Sequence, residues 1–155
     1  MNREIGYSDK VRQENLPIVN SFNGWDPLEE VIVGILDGAV ELCWEPGLES
    51  VLPAEELELL KTWHQQQGGK PYFDQQTTQA QKELDEFIHI LKSEGVKVRL
   101  PEPLDHQRPF STPDWNSPAG NSQAKPRDVL IVIGNEILEA PMSWHSRYYE
   151  FLGYR

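Results

Sequence analysis

An apolar helical stripe that runs straight into a glycine and a short alternating segment constrains this chain more than any other feature. Between residues 77 and 94, Ala80, Leu84, Phe87, Ile88 and Leu91 recur at i, i+4, i+7, i+8 and i+11, the spacing that gathers apolar side chains on one helical face. Lys82, Glu83, Glu86 and Lys92 occupy the opposite face. Gly95 stands where helices commonly stop. Val96, Val98 and Leu100 then alternate with Lys97 and Arg99 until Pro101. A helix handing over directly to a strand is an α-to-β connection, which places the chain in the α/β or α+β class.

The remaining elements are shorter. Residues 29–36 are β-branched and apolar and are stopped by Asp37 and Gly38, so they read as a buried strand. A short helix is expected over 53–63, with Pro53 in its first turn and acidic residues after it; Gln65, Gln66 and Gln67 with Gly68 and Gly69 would end it. Residues 128–133 and 136–140 flank Gly134 and Asn135, which predicts a β-hairpin. Trp144, Tyr148, Phe151 and Leu152 form a last stripe, so 143–155 reads as a helix with no stop signal. Residues 101–127 carry six of the twelve prolines and are expected to be a long loop without regular structure, the kind that is either functional or disordered. Residues 1–19 are polar and without periodicity, and read as a flexible N-terminal arm. Four strands and three helices make one layer of an α/β structure and are too few to close a large sheet.

At 155 residues the chain fits one domain. Its 25 Asp and Glu outnumber 14 Lys and Arg. This excess opposes binding to a nucleic-acid backbone, which needs clustered cations, and electrostatic attachment to an anionic membrane. One cysteine excludes an internal disulfide and a multi-cysteine metal site. The first twenty residues lack the apolar centre of a secretory signal. The longest apolar run, 129–133, is five residues, against the ~20 needed to span a bilayer. The expected location is the cytoplasm.

Cys43 lies between apolar neighbours with no cation or histidine beside it, which reads as a buried or incidental thiol. His64, His89, His106 and His145 form no metal-ligand spacing; His89 is expected in solvent or at a cap, and His106, in the long loop, is open to a ligand contact. Asp128 is the carboxylate of most interest, because it follows the long loop and stands at the start of an apolar strand, where ligands are often met. Its alternatives are a strand-end cap or a local pair with Arg127. Asp114 reads as an Asx-type turn. Gly68 and Gly69 lack the Lys-Ser/Thr of a phosphate loop. Trp144, Tyr148 and Tyr149 read as core or interface. No nucleophile stands with a base, so the residues alone compose no catalytic constellation.

An ordered series of motifs goes further. NSFNGWDPLEEVIVG (20–34), QGG (67–69), ILKSEGVKVR (90–99), PEP (101–103), TPDW (112–115), PRDVLIVIGNEILEAPM (126–142) and Ser146-Arg147 together resemble the N-terminal portion of the amidinotransferases. These include the arginine:glycine, inosamine-phosphate and cyanotoxin-pathway enzymes. The resemblance covers residues 19–155 and implies a pentein-type β/α propeller, here incomplete, with about one to two ββαβ-type modules. It implies transfer of the amidino group of L-arginine to an amine acceptor such as glycine. A cysteine thiolate attacks the guanidinium carbon, ornithine leaves, and the acceptor takes the amidino group, without metal or organic cofactor. Carboxylates suit a planar guanidinium because they accept its hydrogen bonds in pairs.

The Asp of the Pro-Arg-Asp motif falls on Asp128, which the resemblance makes a substrate-binding residue. Neither Cys43 nor any of the four histidines matches a catalytic residue of the family, whose Cys, His and Asp belong to segments beyond position 155. Lys125 and the Pro-, Gly- and Ser-rich loop 116–123 depart from the family pattern. Two expectations follow. The chain is a truncated N-terminal piece, inactive alone, of an arginine-dependent amidinotransferase that can form a homodimer. Alternatively it is a complete non-catalytic protein that pairs with a separately encoded C-terminal half.

Overall fold

The structure, a computed structural model, describes residues 19–155. The arm expected at the N-terminus lies, but for its last residue, outside the described residues. Among the described residues the architecture is α/β with three small two-stranded sheets.

Strand β1 (Glu30–Ile32) pairs in parallel with β2 (Lys97–Arg99), Val31 opposite Val98. Parallel neighbours need a long crossover, and here it holds α1 (Pro46–Glu49), α2 (Leu57–Gln67) and α3 (Asp74–Ser93). Helix α3 is the long stripe of the sequence and packs against β2. Leu84, Ile88 and Leu91 are half-buried, whereas Phe87 is 51% exposed, because a two-stranded sheet is too narrow to cover the whole stripe.

Several sequence expectations are corrected. The first strand is shorter than 29–36. Val33 N–H still donates to the Arg99 carbonyl at 3.0 Å; beyond it the chain turns from β2, and Ile35 N–H donates to the Gln123 carbonyl at 3.1 Å, with Val33 and Ile35 buried. Helix α2 starts at Leu57 rather than Pro53, because Glu56 N–H closes a separate turn onto the Pro53 carbonyl. The glutamine run extends the helix instead of ending it, as its good helix propensity allows. Gly68 is the stop, and a Cβ there would lie 2.6 Å from the His64 carbonyl oxygen and 2.7 Å from Cys43 Cα.

The largest correction is the proline-rich stretch. Residues 101–127 contain an antiparallel pair, β3 (Phe110–Ser111) with β4 (Asn116–Ser117), and much of the core. His106, Ser117, Ala119, Asn121, Ser122 and Gln123 are all buried. Asn121 Nδ2 donates to the Val40 carbonyl at 2.8 Å, and Val40 N–H returns a bond to the Asn121 carbonyl at 2.8 Å. The turn at Asp114 belongs to Thr112, whose Oγ1 accepts from Asp114 and Trp115 N–H.

The hairpin stands as expected: β5 (Leu130–Ile133) pairs with β6 (Glu136–Glu139), and Gly134 turns it with φ 60°, as the first central position of a type II′ turn requires. Its apolar side chains are open, Ile133 at 60% exposure and Leu138 at 47%. The C-terminal stretch is not one helix. It forms 3₁₀ turns at His145–Arg147 and Glu150–Tyr154. The buried face carries Ser146, Arg147, Tyr149, Glu150 and Gly153 rather than the apolar stripe. Among the described residues no helix is long and apolar enough to cross a membrane.

Candidate functional site

Asp128 sits in α4 (Pro126–Val129), a single turn opened by Pro126, not at the start of the strand itself. Val129 is buried and its carbonyl accepts Ala140 N–H at 2.9 Å, which fixes this turn to the hairpin. Neither Arg127 nor a strand-end cap takes the Asp128 carboxylate. Its Oδ2 accepts a hydrogen bond from Arg147 Nη1 at 2.9 Å. The side chain is 42% exposed, and Oδ1 takes no hydrogen bond from the described residues.

Arg147 is buried, and its guanidinium is held chiefly by Glu150. Arg147 Nε donates to Glu150 Oε1 at 3.0 Å and Oε2 at 2.9 Å, and Nη2 donates to Oε2 at 2.8 Å. Ser122 N–H donates to Glu150 Oε1 at 3.3 Å. Desolvation works to lower the Arg147 pKa, but the hydrogen bonds and charges of Glu150 and then Asp128 hold it above its ordinary value. Burial raises the Glu150 carboxyl, against a downward pull from Arg147 and the Ser122 N–H. Three guanidinium hydrogen bonds fall on this one buried carboxylate.

The neighbouring polar groups are closed off. His106 is fully buried, and among the described residues neither ring nitrogen has a hydrogen-bond partner; burial lowers its pKa, and the ligand contact left open for this loop residue has no exposed ring to serve it. Burial, with Glu150, Asp105 and Cys43 adding to it, pushes the Tyr149 phenol up to about 12. Cys43 is half-buried, and burial followed by the charge of Glu45 raises its thiol. That is the opposite of an activated thiolate. Glu45 holds the His145–Arg147 turn from 100 residues away, accepting His145 N–H at 2.9 Å and the Ser146 hydroxyl at 3.1 Å. His89 is exposed. Among the described residues no three His, Cys, Asp or Glu side chains gather at metal-binding distance.

The sequence singles out Asp128 as a candidate and gives no sign of Arg147 and Glu150 as a buried pair beside it, beyond their opposite charge at i, i+3 inside an aromatic-rich segment.

The chain has relatives of known name, both in sequence and among solved structures. No family model matches the chain. It is 43% identical to the L-arginine:L-lysine amidinotransferase of Pseudomonas savastanoi pv. phaseolicola over 137 residues, 88% of this chain and 36% of that protein. It is 43% identical to the mitochondrial glycine amidinotransferase of Danio rerio over 142 residues, 92% of this chain and 32% of that protein. Among solved structures, it matches the saxitoxin-pathway amidinotransferase of Microseira wollei with a TM-score of 0.80 and 50% identity, over 88% of this chain and 38% of that one. The inosamine-phosphate amidinotransferase of Streptomyces griseus matches with a TM-score of 0.78 and 36% identity, over 90% of this chain and 39% of that one. The chain therefore resembles the amidinotransferase family in both sequence and fold. It spans about a third of the length of the curated relatives it matches.

Proposed function

We propose that the chain is the N-terminal part of an arginine-dependent amidinotransferase and that Asp128 binds the guanidinium of L-arginine. The observation that carries this reading is that the Asp128 carboxylate already binds one guanidinium, that of Arg147, through Oδ2, while Oδ1 stays open at an exposed position. An anionic oxygen so placed accepts an N–H of a second, incoming guanidinium.

In this reading the described residues bind and orient the donor, and the nucleophile is a cysteine of another segment. Its thiolate attacks the guanidinium carbon, ornithine leaves with its amine, and an acceptor amine such as glycine displaces the thiolate and takes the amidino group. Splitting the transfer into two displacements lowers each barrier. Cys43, with its raised pKa, does not fill that role. The open faces of the β5–β6 hairpin support an incomplete pentein propeller whose next module covers them. They equally favour a second reading, a non-catalytic subunit completed by a separate chain, and a distinct C-terminal half that co-purifies with this chain would select it.

The test is Asp128→Asn in the native gene product that carries this sequence. Loss of one charge-assisted hydrogen bond predicts an arginine KM raised by roughly 10- to 100-fold. Unchanged arginine use would remove Asp128 from the site.

A further inference from the structure

The proposed function uses Asp128 and leaves the buried arginine beside it without a task. A guanidinium taken out of water costs several kcal/mol, and a buried ion pair is often replaceable by apolar side chains without loss of stability. The Arg147–Glu150 pair is thus poorly explained as a source of stability alone. Its geometry is specific. Three of the four Arg147 hydrogen bonds go to one carboxylate, which fixes the guanidinium plane and leaves Nη1 for Asp128. Glu150 is fixed in turn by Ser122 N–H. A continuous line of hydrogen bonds therefore runs from the buried 117–123 segment to the open site.

We propose that Arg147, locked by Glu150, is the positioning residue for Asp128: it holds Oδ2 so that Oδ1 faces the incoming guanidinium. The proposal rests on the reading of Asp128 as a guanidinium ligand. Asp128 stands half-exposed on a single helical turn, where its carboxylate would otherwise sample several rotamers and lose that freedom on binding. Within the hydrogen-bonded cluster two carboxylates face one guanidinium, so one negative charge remains for a cationic ligand. The line of bonds selects a planar N–H donor and offers nothing to an anion.

The experiment compares Asp128→Asn, the paired variant Arg147→Met/Glu150→Met and Arg147→Lys in the native gene product, with L-arginine as donor and glycine as acceptor. The apolar pair removes both buried charges together and so keeps the fold. Its expected effect is an arginine KM raised about tenfold, with kcat and the glycine KM within about twofold, since only binding of the donor is weakened. NMR couplings of Asp128 should pass from one χ1 rotamer to an average. Arg147→Lys keeps the charge but cannot bridge two carboxylates in a fixed plane, so it should shift the arginine KM in the same direction, and it serves alone if the paired variant does not fold. A damaging Asp128→Asn with an unchanged arginine KM in the Arg147 variants overturns the positioning role only. A harmless Asp128→Asn overturns the ligand reading and this proposal with it. A fall in kcat together with a rise in both KM values, tracking a lowered unfolding midpoint, marks a merely structural pair and also overturns it.

Discussion

Gly34→Ala tests how the segment carrying Asp128 is anchored. Gly34 follows β1 and passes the backbone of residues 123 and 124 so closely that an added Cβ would lie 2.4 Å from both the Gln123 and Ala124 carbonyl oxygens. Both neighbours are backbone, so no side chain can rotate away. The strain is purely one of space, because Gly34 is not among the positive-φ glycines. Overpacking of this kind costs about 1–3 kcal/mol. Parting the strands also loses the bond from Ile35 N–H to the Gln123 carbonyl, worth about 1 kcal/mol. Together they amount to roughly 2–4 kcal/mol, or a midpoint lowered by about 6–12 °C for a chain of this size. Two other glycines calibrate the number. Gly95 has φ 82° and nothing within 4 Å of its Cβ position, so Gly95→Ala pays only for the left-handed backbone, about 1–2 kcal/mol. Gly24 has no neighbour within 4 Å among the described residues and no positive φ, and Gly24→Ala should stay within about 0.5 kcal/mol of wild type. Thermal unfolding followed by far-ultraviolet circular dichroism measures all three. A Gly34→Ala midpoint equal to that of Gly24→Ala would refute the close approach and with it the anchoring of 123–128 to β1.

Other outcomes follow from the same geometry. Burial lowers the folded pKa of His106 below its ordinary 6.5; the unfolded chain then binds a proton that the folded one refuses, so stability is fully present above about pH 6.5 and declines below it. Urea midpoints of wild type and His106→Gln between about pH 7.5 and 5.5 should differ in slope, the variant being flatter, and parallel slopes would contradict the assignment. Cys43, raised by burial and by Glu45, should react with iodoacetamide at pH 8 more slowly than a free thiol in a short peptide; an equal or faster rate would show an exposed or activated thiolate. Ile133→Lys, at an open position of the hairpin, should change stability by under about 0.5 kcal/mol in urea unfolding; a larger loss would show a covered side chain.

Helix α3 and the β5–β6 hairpin were legible because their signals are local. A 3.6-residue stripe ending in Gly95 and two apolar runs around Gly134 each close their own backbone hydrogen bonds. The short strand β1 was half legible: its apolar character was plain, but where its pairing with β2 stops depends on residues 121–124, far along the chain. The C-terminal segment misled for a different reason. Apolar periodicity assigns the inward face to Trp144, Tyr148, Phe151 and Leu152, yet the inward face holds Arg147 and Glu150, because each satisfies the other's charge.

The proline-rich stretch carries the same lesson into the core itself. Proline forbids repeating structure but does not forbid burial. Irregular backbone can be buried only when the groups that a helix or sheet would have paired find other partners, side chains among them. Gln123 does so on both sides of its amide, accepting Leu104 N–H at 2.7 Å and donating to the Glu102 carbonyl at 2.9 Å. Such a core must be rich in Asn, Gln and Ser, so hydropathy gives it the sign of solvent. The partner of Asp128 comes from a polar interior of this kind, Arg147 directly, with Glu150 and then Ser122 behind it. That is why Asp128 itself could be singled out by its motif, while what holds Asp128 in place required the fold.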